Sequence, residues 1–203
     1  MASGTRVSFV GKGRRKYVPY SLSFKTWDSL GNEETEIISM LKEDCPITSA
    51  VRFLREKKIA FVPFLYRYEE HGGTHQFAAE FSVSDHQVIK TLVFETDQKK
   101  PLLVLMHGDR EVSTKQLARI MGVKQITPCN ANTAQRYTGY QFGGTSPFGT
   151  RHQLPVYAEK TILDLQKIYI NGGKRGLIIE ISPHDLSAVL EIKEVEAAIL
   201  PNS

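Results

Sequence analysis

The sequence predicts an α+β domain built on a mixed sheet, and not a doubly wound one. Three observations predict it. Strand-like runs are interleaved with short helical stretches throughout the chain. Two segments, Asp97–Lys100 and Asn171–Lys174, have the composition of hairpin turns. The length, 203 residues, suits one domain with a proper core and is short for two of ordinary size.

Each element follows in order. Residues 36–41 suggest a short helix. Thr48 or Ser49 can cap a helix running to Lys58, with Val51, Leu54 and Phe53 on its buried side. Residues 59–68 read as a strand, which Pro63 pushes to a sheet edge because it has no N–H for a second neighbour. A loop over 69–74 leads to a helix over 76–81. Strands follow at 88–95 and 102–107, joined at Asp97–Lys100. Ser113 and Gln116 have capping-box spacing and open a helix ending at Gly122. A strand at 124–127 precedes a helix capped by Asn130 or Asn132 and stopped at Gly139. Residues 156–165 lead to a strand at 167–170, a tight turn at 171–174 and a strand at 176–181. Pro183 starts a final helix through Leu190, and residues 195–200 close the sheet.

Composition narrows the class. The chain is 41% hydrophobic and 24% charged, that of a globular protein, and no apolar run approaches membrane-spanning length. No hydrophobic secretory core follows the N-terminus and there are only two cysteines, Cys45 and Cys129, so a cytoplasmic protein is expected. Net charge is +4, a mild preference for a polyanionic partner. The charge is uneven: Arg6, Lys12, Arg14, Arg15, Lys16 and Lys25 precede the first acidic residue, Asp28, and residues 28–45 are acidic at their centre. This divides the chain into an N-terminal extension over 1–45, basic then acidic, and a domain over 46–203. The arm is either a solvated tail or a phosphate grip.

One stretch carries chemistry most plainly. Residues 137–149 hold four glycines, a proline and four aromatic rings in thirteen positions. Such a loop can offer a row of backbone N–H groups to a phosphate or a developing oxyanion. It lacks the lysine and hydroxyl of a P-loop, and the alternative is a long surface turn. Lys90 stands inside a strand of apolar and β-branched neighbours, so its ammonium either meets an anion or a lined cavity, or lies on the wet face of an edge strand. His71 and His75 show no third ligand for a metal. Cys129 precedes a helix start, as a stabilised thiolate or an inert buried thiol. Asp185 lies in a first helical turn, where a carboxylate is favoured by the helix dipole alone, against a role in a site.

Lys90-Thr91-Leu92, then Thr138-Gly139-Tyr140 leading into Gly143-Gly144-Thr145-Ser146-Pro147-Phe148-Gly149, resemble the YbaK family. These are free-standing aminoacyl-tRNA deacylases related to the editing domain of bacterial prolyl-tRNA synthetase. Gly172–Leu177 and Glu180–Leu186 extend the resemblance, which covers residues 47–199. It implies one compact domain with a largely antiparallel, barrel-like mixed sheet flanked by short helices. It further implies hydrolysis of mischarged aminoacyl-tRNA with no cofactor, no metal and no protein nucleophile. In members acting on cysteinyl-tRNA, the substrate's thiol is the attacking group.

The resemblance also assigns roles. Lys90 would be the essential side chain facing the 3′-terminal adenosine and its ester, and Gly143 and Gly144 the backbone donors. Tyr66, with Tyr68 as the alternative, would shape the pocket together with Thr91, Gly139, Ser146 and Asp185. Tyr66, Phe142 and the loop would line a small cavity, and Lys90 and the glycine turn would face one hollow. The implied substrate is cysteinyl-tRNA of the proline acceptor, with prolyl-tRNA synthetase as a candidate partner and no role for membrane or DNA. Thr145 and Phe148 stand where aliphatic residues are expected, which brings serine, threonine and alanine into consideration. Thr150-Arg151-His152-Gln153 replaces a lysine-rich run, leaving the basic arm as a candidate tRNA grip. A non-catalytic tRNA-binding module acting with a synthetase is the alternative to an enzyme.

Overall fold

A computed structural model of the chain describes residues 45–201, all in one compact unit. The helix expected at 36–41 and the basic arm lie outside the described residues. Among those residues, no helix is long and apolar enough to cross a membrane.

The architecture is α+β. Helix α1 (Ser49–Glu56) is capped by Thr48, whose hydroxyl accepts from Val51 N at 3.0 Å. Strand β1 (Val62–Leu65) is shorter than the predicted run and forms one end of the sheet, with Pro63 opposite Ile179. Helix α2 (Gly73–Phe81) starts earlier than expected, because the Gln76 side chain turns back to bond Glu69 N (3.0 Å) and Arg67 O (2.5 Å). Strands β2 (Val88–Thr96) and β3 (Pro101–His107) form the predicted hairpin, in the register Ile89↔His107 to Glu95↔Pro101.

A short strand β4 (Glu111–Val112) then leads to helix α3 (Thr114–Met121). Only half of its expected capping box forms: Ser113 Oγ accepts from Gln116 N, but the Gln116 amide donates to Glu196 O at 2.6 Å. Strand β5 (Ile126–Pro128) is followed by helix α4 (Ala131–Thr138), capped by Asn130 through Thr133 N at 2.8 Å and ended by Gly139 at φ +81°.

Strand β6 (Val156–Glu159) precedes the hairpin of β7 (Ile168–Lys174) and β8 (Leu177–Ile181). Its turn lies at Arg175-Gly176, and the residues read as the turn form a bulge between Asn171 and Lys174. Helix α5 (Pro183–Val189) and strand β9 (Ile192–Val195) follow. Strand β10 (Ala198–Ile199) pairs with β4 in a separate two-stranded sheet, where closure of the main sheet was expected.

The main sheet has the order β1-β8-β7-β2-β3-β6-β9, with β5 also on β2. Pairs β2/β7, β3/β6 and β6/β9 are parallel and the others antiparallel. Strands β2, β3, β6, β7 and β8 all send alternate residues into one apolar cluster, so the sheet curls about a shared interior. Strand β2 is the hub. Its free edge pairs with β7 at Val88 and Ile89 and with β5 from Phe94 to Thr96. Between them, Lys90, Thr91 and Leu92 are laddered only on the β3 side, which leaves a gap in the wall.

Candidate active site

The glycine stretch is held at its base and at its tip. At the base, Thr138 Oγ1 donates to Ala134 O (2.8 Å) and accepts from Tyr140 N (3.1 Å), which turns the chain out of α4. Tyr140 Oη donates to Phe148 O at 2.6 Å, tying the two ends of the loop together. Phe148 is fully buried and stacks on Phe53 of α1 with ring centroids 6.1 Å apart. Ser146 is also fully buried, and Gly139 serves as the helix stop, so these two predicted site residues build the loop from beneath.

At the tip, Asn171 Nδ2 donates to Gly143 O (3.1 Å) and Arg175 Nε to Phe142 O (2.8 Å), anchoring the turn on the β7–β8 hairpin. Only glycine fits here: Gly143 has φ +82°, and a Cβ on it would lie 2.7 Å from Tyr68 Oη. The two expected backbone donors differ. The buried Gly144 N–H closes the turn on Gln141 O at 2.9 Å and is not free. The N–H groups of Gly143 and Thr145 have no acceptor among the described residues.

The tyrosine at this turn is Tyr68. The Arg175 guanidinium lies 5.0 Å from the centroid of its ring, and its hydroxyl faces Gly143. Tyr66, the position favoured from the sequence, instead packs its ring on Phe77 at 5.7 Å in a separate aromatic cluster with Phe64 and Phe81. Burial there pushes the Tyr66 hydroxyl pKa up. Phe142, expected in the lining of a small cavity, is 66% exposed.

Strand periodicity decides the rest. Adjacent residues of a strand point to opposite faces. Ile89 and Val93 join the core cluster to which Tyr140 and Phe148 also belong, so Thr91 between them lies on that face of the strand. Thr91 Oγ1 is buried with no hydrogen-bond partner among the described residues, which costs about 1–3 kcal/mol unless a ligand supplies one.

Lys90 takes the other face, with Val88 and Leu92. Its half-buried ammonium donates to Gly108 O at 3.0 Å and to Arg110 O. Burial lowers its pKa, while Asp85, Glu111 and Asp109 oppose that shift. Lys90 and Thr91 therefore lie on opposite faces of β2, with the Lys90 ammonium held on the 108–110 turn.

Asp185 is also elsewhere. It accepts from Ser182 Oγ (2.7 Å) and its N–H donates to the same oxygen (3.0 Å), at the start of α5. That point is the far end of β8 from Arg175, roughly 15 Å along the strand at about 3.3 Å per residue. Asp185 lies in the first turn of a helix capped by Ser182. The half-buried Cys129 does not favour its thiolate: burial and the nearby Glu95 carboxylate push its thiol up to about 11.

Behind Lys90 lies a polar cluster that sequence reasoning missed. His86 and His107 stack with centroids 3.6 Å apart. His86 Nδ1 pairs with Asp109 (2.9 Å), Asp109 with Arg110 (2.9 Å), and His107 Nε2 with Thr161 Oγ1 (2.8 Å). The signal was present, since a hairpin turning at 97–100 brings residue 86 beside the 107–110 turn. Asn171 and Arg175 were missed because the hairpin turn was placed on Asn171 itself.

Comparison with known proteins adds a family. The model of the aminoacyl-tRNA editing domain matches residues 70–189, which include β2, the glycine turn and the β7–β8 hairpin. EbsC of Enterococcus faecalis, named as a candidate Cys-tRNA(Pro)/Cys-tRNA(Cys) deacylase, is 28% identical over 137 residues, 67% of this chain and 84% of its own. A proline–tRNA ligase of Brachyspira hyodysenteriae is 26% identical over 94 residues, 46% of this chain but 16% of the ligase. A solved structure described as a candidate trans-editing enzyme for prolyl tRNA synthetase superposes with TM-score 0.64 at 19% identity. It covers 76% of this chain and 99% of its own. At that identity the likeness speaks for the fold.

Proposed function

The chain belongs to the aminoacyl-tRNA editing domain family, whose members are aminoacyl-tRNA deacylases, and from that premise we propose that it acts in trans on cysteinyl-tRNA of the proline acceptor. The observation that carries this reading is that the family match spans both the glycine turn and the hairpin that clamps it. An aminoacyl ester is already activated, so positioning and oxyanion stabilisation supply much of the acceleration.

In this reading the terminal adenosine and its ester lie against the glycine turn. The Gly143 and Thr145 N–H groups donate to the carbonyl oxygen as it gains charge, and the Tyr68 and Thr91 hydroxyls complete the wall. The thiol of the bound cysteine, as thiolate, attacks its own ester carbon. The C–O bond to the ribose breaks, the ribose oxygen takes up the proton, and the resulting thiolactone is opened by water to free cysteine. Lys90 acts through the strand: its bonds to the 108 and 110 carbonyls fix β2 and so present Thr91.

The unpartnered Thr91 hydroxyl favours a second substrate class, because it can pair with the hydroxyl of serine or threonine. A panel of tRNAs charged with labelled cysteine, alanine, serine and threonine tests both. Release of cysteine from tRNA(Pro) well above the buffer rate is expected. Release of none of the four above buffer overturns the enzyme in this form. Prolyl-tRNA synthetase, as the donor of the mischarged tRNA, is the proposed partner.

A further inference from the structure

The tip of the glycine turn presents one large apolar ring to solvent. Phe142 is 66% exposed, yet the backbone that carries it is firmly held. Its carbonyl accepts from Arg175 Nε at 2.8 Å, the next carbonyl, of Gly143, accepts from Asn171 Nδ2 at 3.1 Å, and Gly144 N–H closes on Gln141 O at 2.9 Å. Outward exposure is thus imposed on the ring by a clamp on either side of it. The neighbouring charge is positive. The Arg175 guanidinium uses one of its five N–H donors on Phe142 O, rests on the Tyr68 ring at 5.0 Å, and has no carboxylate partner among the described residues. Lys174 beside it is exposed as well.

A fixed, exposed aromatic face with an unpaired guanidinium beside it matches single-stranded nucleic acid, in which a base stacks while its phosphate is neutralised. We infer that Phe142 is the stacking platform for the penultimate base of a single-stranded RNA 3′ end, with Arg175 on the phosphate that follows it. This deepens the deacylase reading and rests on it in one respect, that the terminal nucleoside lies at Gly143. One residue further out on the same turn is then where the preceding base arrives. Holding the end by stacking is indifferent to the amino acid, so the platform contributes affinity for the RNA end and not discrimination among charges. The backbone that carries the ring is held before binding, so little main-chain order is lost on stacking.

The test uses the full chain and a short uncharged RNA hairpin ending in an unpaired CCA, with the fluorescent analogue pyrrolocytosine as the penultimate base. Wild type is expected to quench the analogue on binding. Phe142→Ala should abolish the quench and weaken binding about tenfold, the effect of removing one stacked base. Phe142→Trp should restore both. An unchanged melting temperature checks that the exposed substitution leaves the fold intact. Equal affinity and quench in wild type and Phe142→Ala overturn the platform, including the case in which the variant loses only binding to a synthetase. Deacylation of cysteinyl-tRNA, measured in parallel, separates the two ideas. Phe142-dependent RNA binding without hydrolysis removes the hydrolase and keeps the platform, whereas hydrolysis with no Phe142 effect on RNA does the reverse.

Discussion

Thr91 holds a buried hydroxyl with no hydrogen-bond partner among the described residues, and that arrangement has a measurable signature. A Thr91→Val substitution keeps the shape and removes the unsatisfied oxygen. The expected result is a split: thermal stability unchanged or higher by about 1 kcal/mol, with deacylation lower by about tenfold. A parallel loss of both in melting and turnover measurements would make Thr91 a packing residue. His107 offers a second single-residue prediction. Burial lowers its pKa below the ordinary 6.5; the hydrogen bond to the His86 carbonyl opposes that shift, as do the Asp109 and Glu159 carboxylates, while the His86 ring adds to it. The folded state therefore binds a proton less readily than the unfolded chain. Stability from this group is complete above pH 6.5 and declines as pH falls through the interval down to the folded value. Melting temperature should drop between pH 7.5 and 5.5, and His107→Gln should flatten that slope.

The elements act through how they are braced. The glycine turn is placed by Phe148, which plugs the core against Phe53 while its carbonyl takes the Tyr140 hydroxyl. Truncation to alanine is expected to cost about 3–5 kcal/mol, the usual range for a fully buried phenylalanine, read as a shift in the urea midpoint. A cost under 1 kcal/mol would mean that the loop does not depend on its buried base. Strand β2 is braced differently. Its β3 edge is fully laddered while residues 90–92 lack a neighbour on the other edge. The Lys90 bonds to the 108–110 turn therefore hold the segment least supported by the sheet. Lys90→Ala should lower turnover more than substrate affinity, and a folded, fully active variant would remove Lys90 from the mechanism.

For the molecule as a whole, the six basic residues before Asp28 form the most one-sided charge run of the chain, although the acidic residues that follow them offset nearly all of it in the net charge of +4. Deleting residues 1–27 should weaken tRNA binding and flatten the dependence of log Kd on log salt, by about 0.7–0.9 for each phosphate the arm no longer neutralises. An unchanged slope would place the grip on the domain, where Arg52, Lys57 and Lys58 are exposed around α1 next to the end of the glycine loop.

Much was legible along the chain because it depends on neighbours a few residues apart. Ser113 and Asn130 cap their helices, Pro183 opens the last one, Gly122 and Gly139 stop theirs, and the β2–β3 hairpin turns where its polar residues say it must. The spaced motifs around Lys90, Gly143 and Gly172 point to the family that the match over residues 70–189 bears out. What could not be read was which groups meet. Whether Tyr66 or Tyr68 reaches Gly143, and which face of β2 takes Lys90 and which takes Thr91, depend on registers between segments far apart in the chain. A shift of one residue in any of them turns a side chain to the other face. Local propensity contains no information about that choice; the packing of Phe148, Tyr140 and the β7–β8 hairpin makes it.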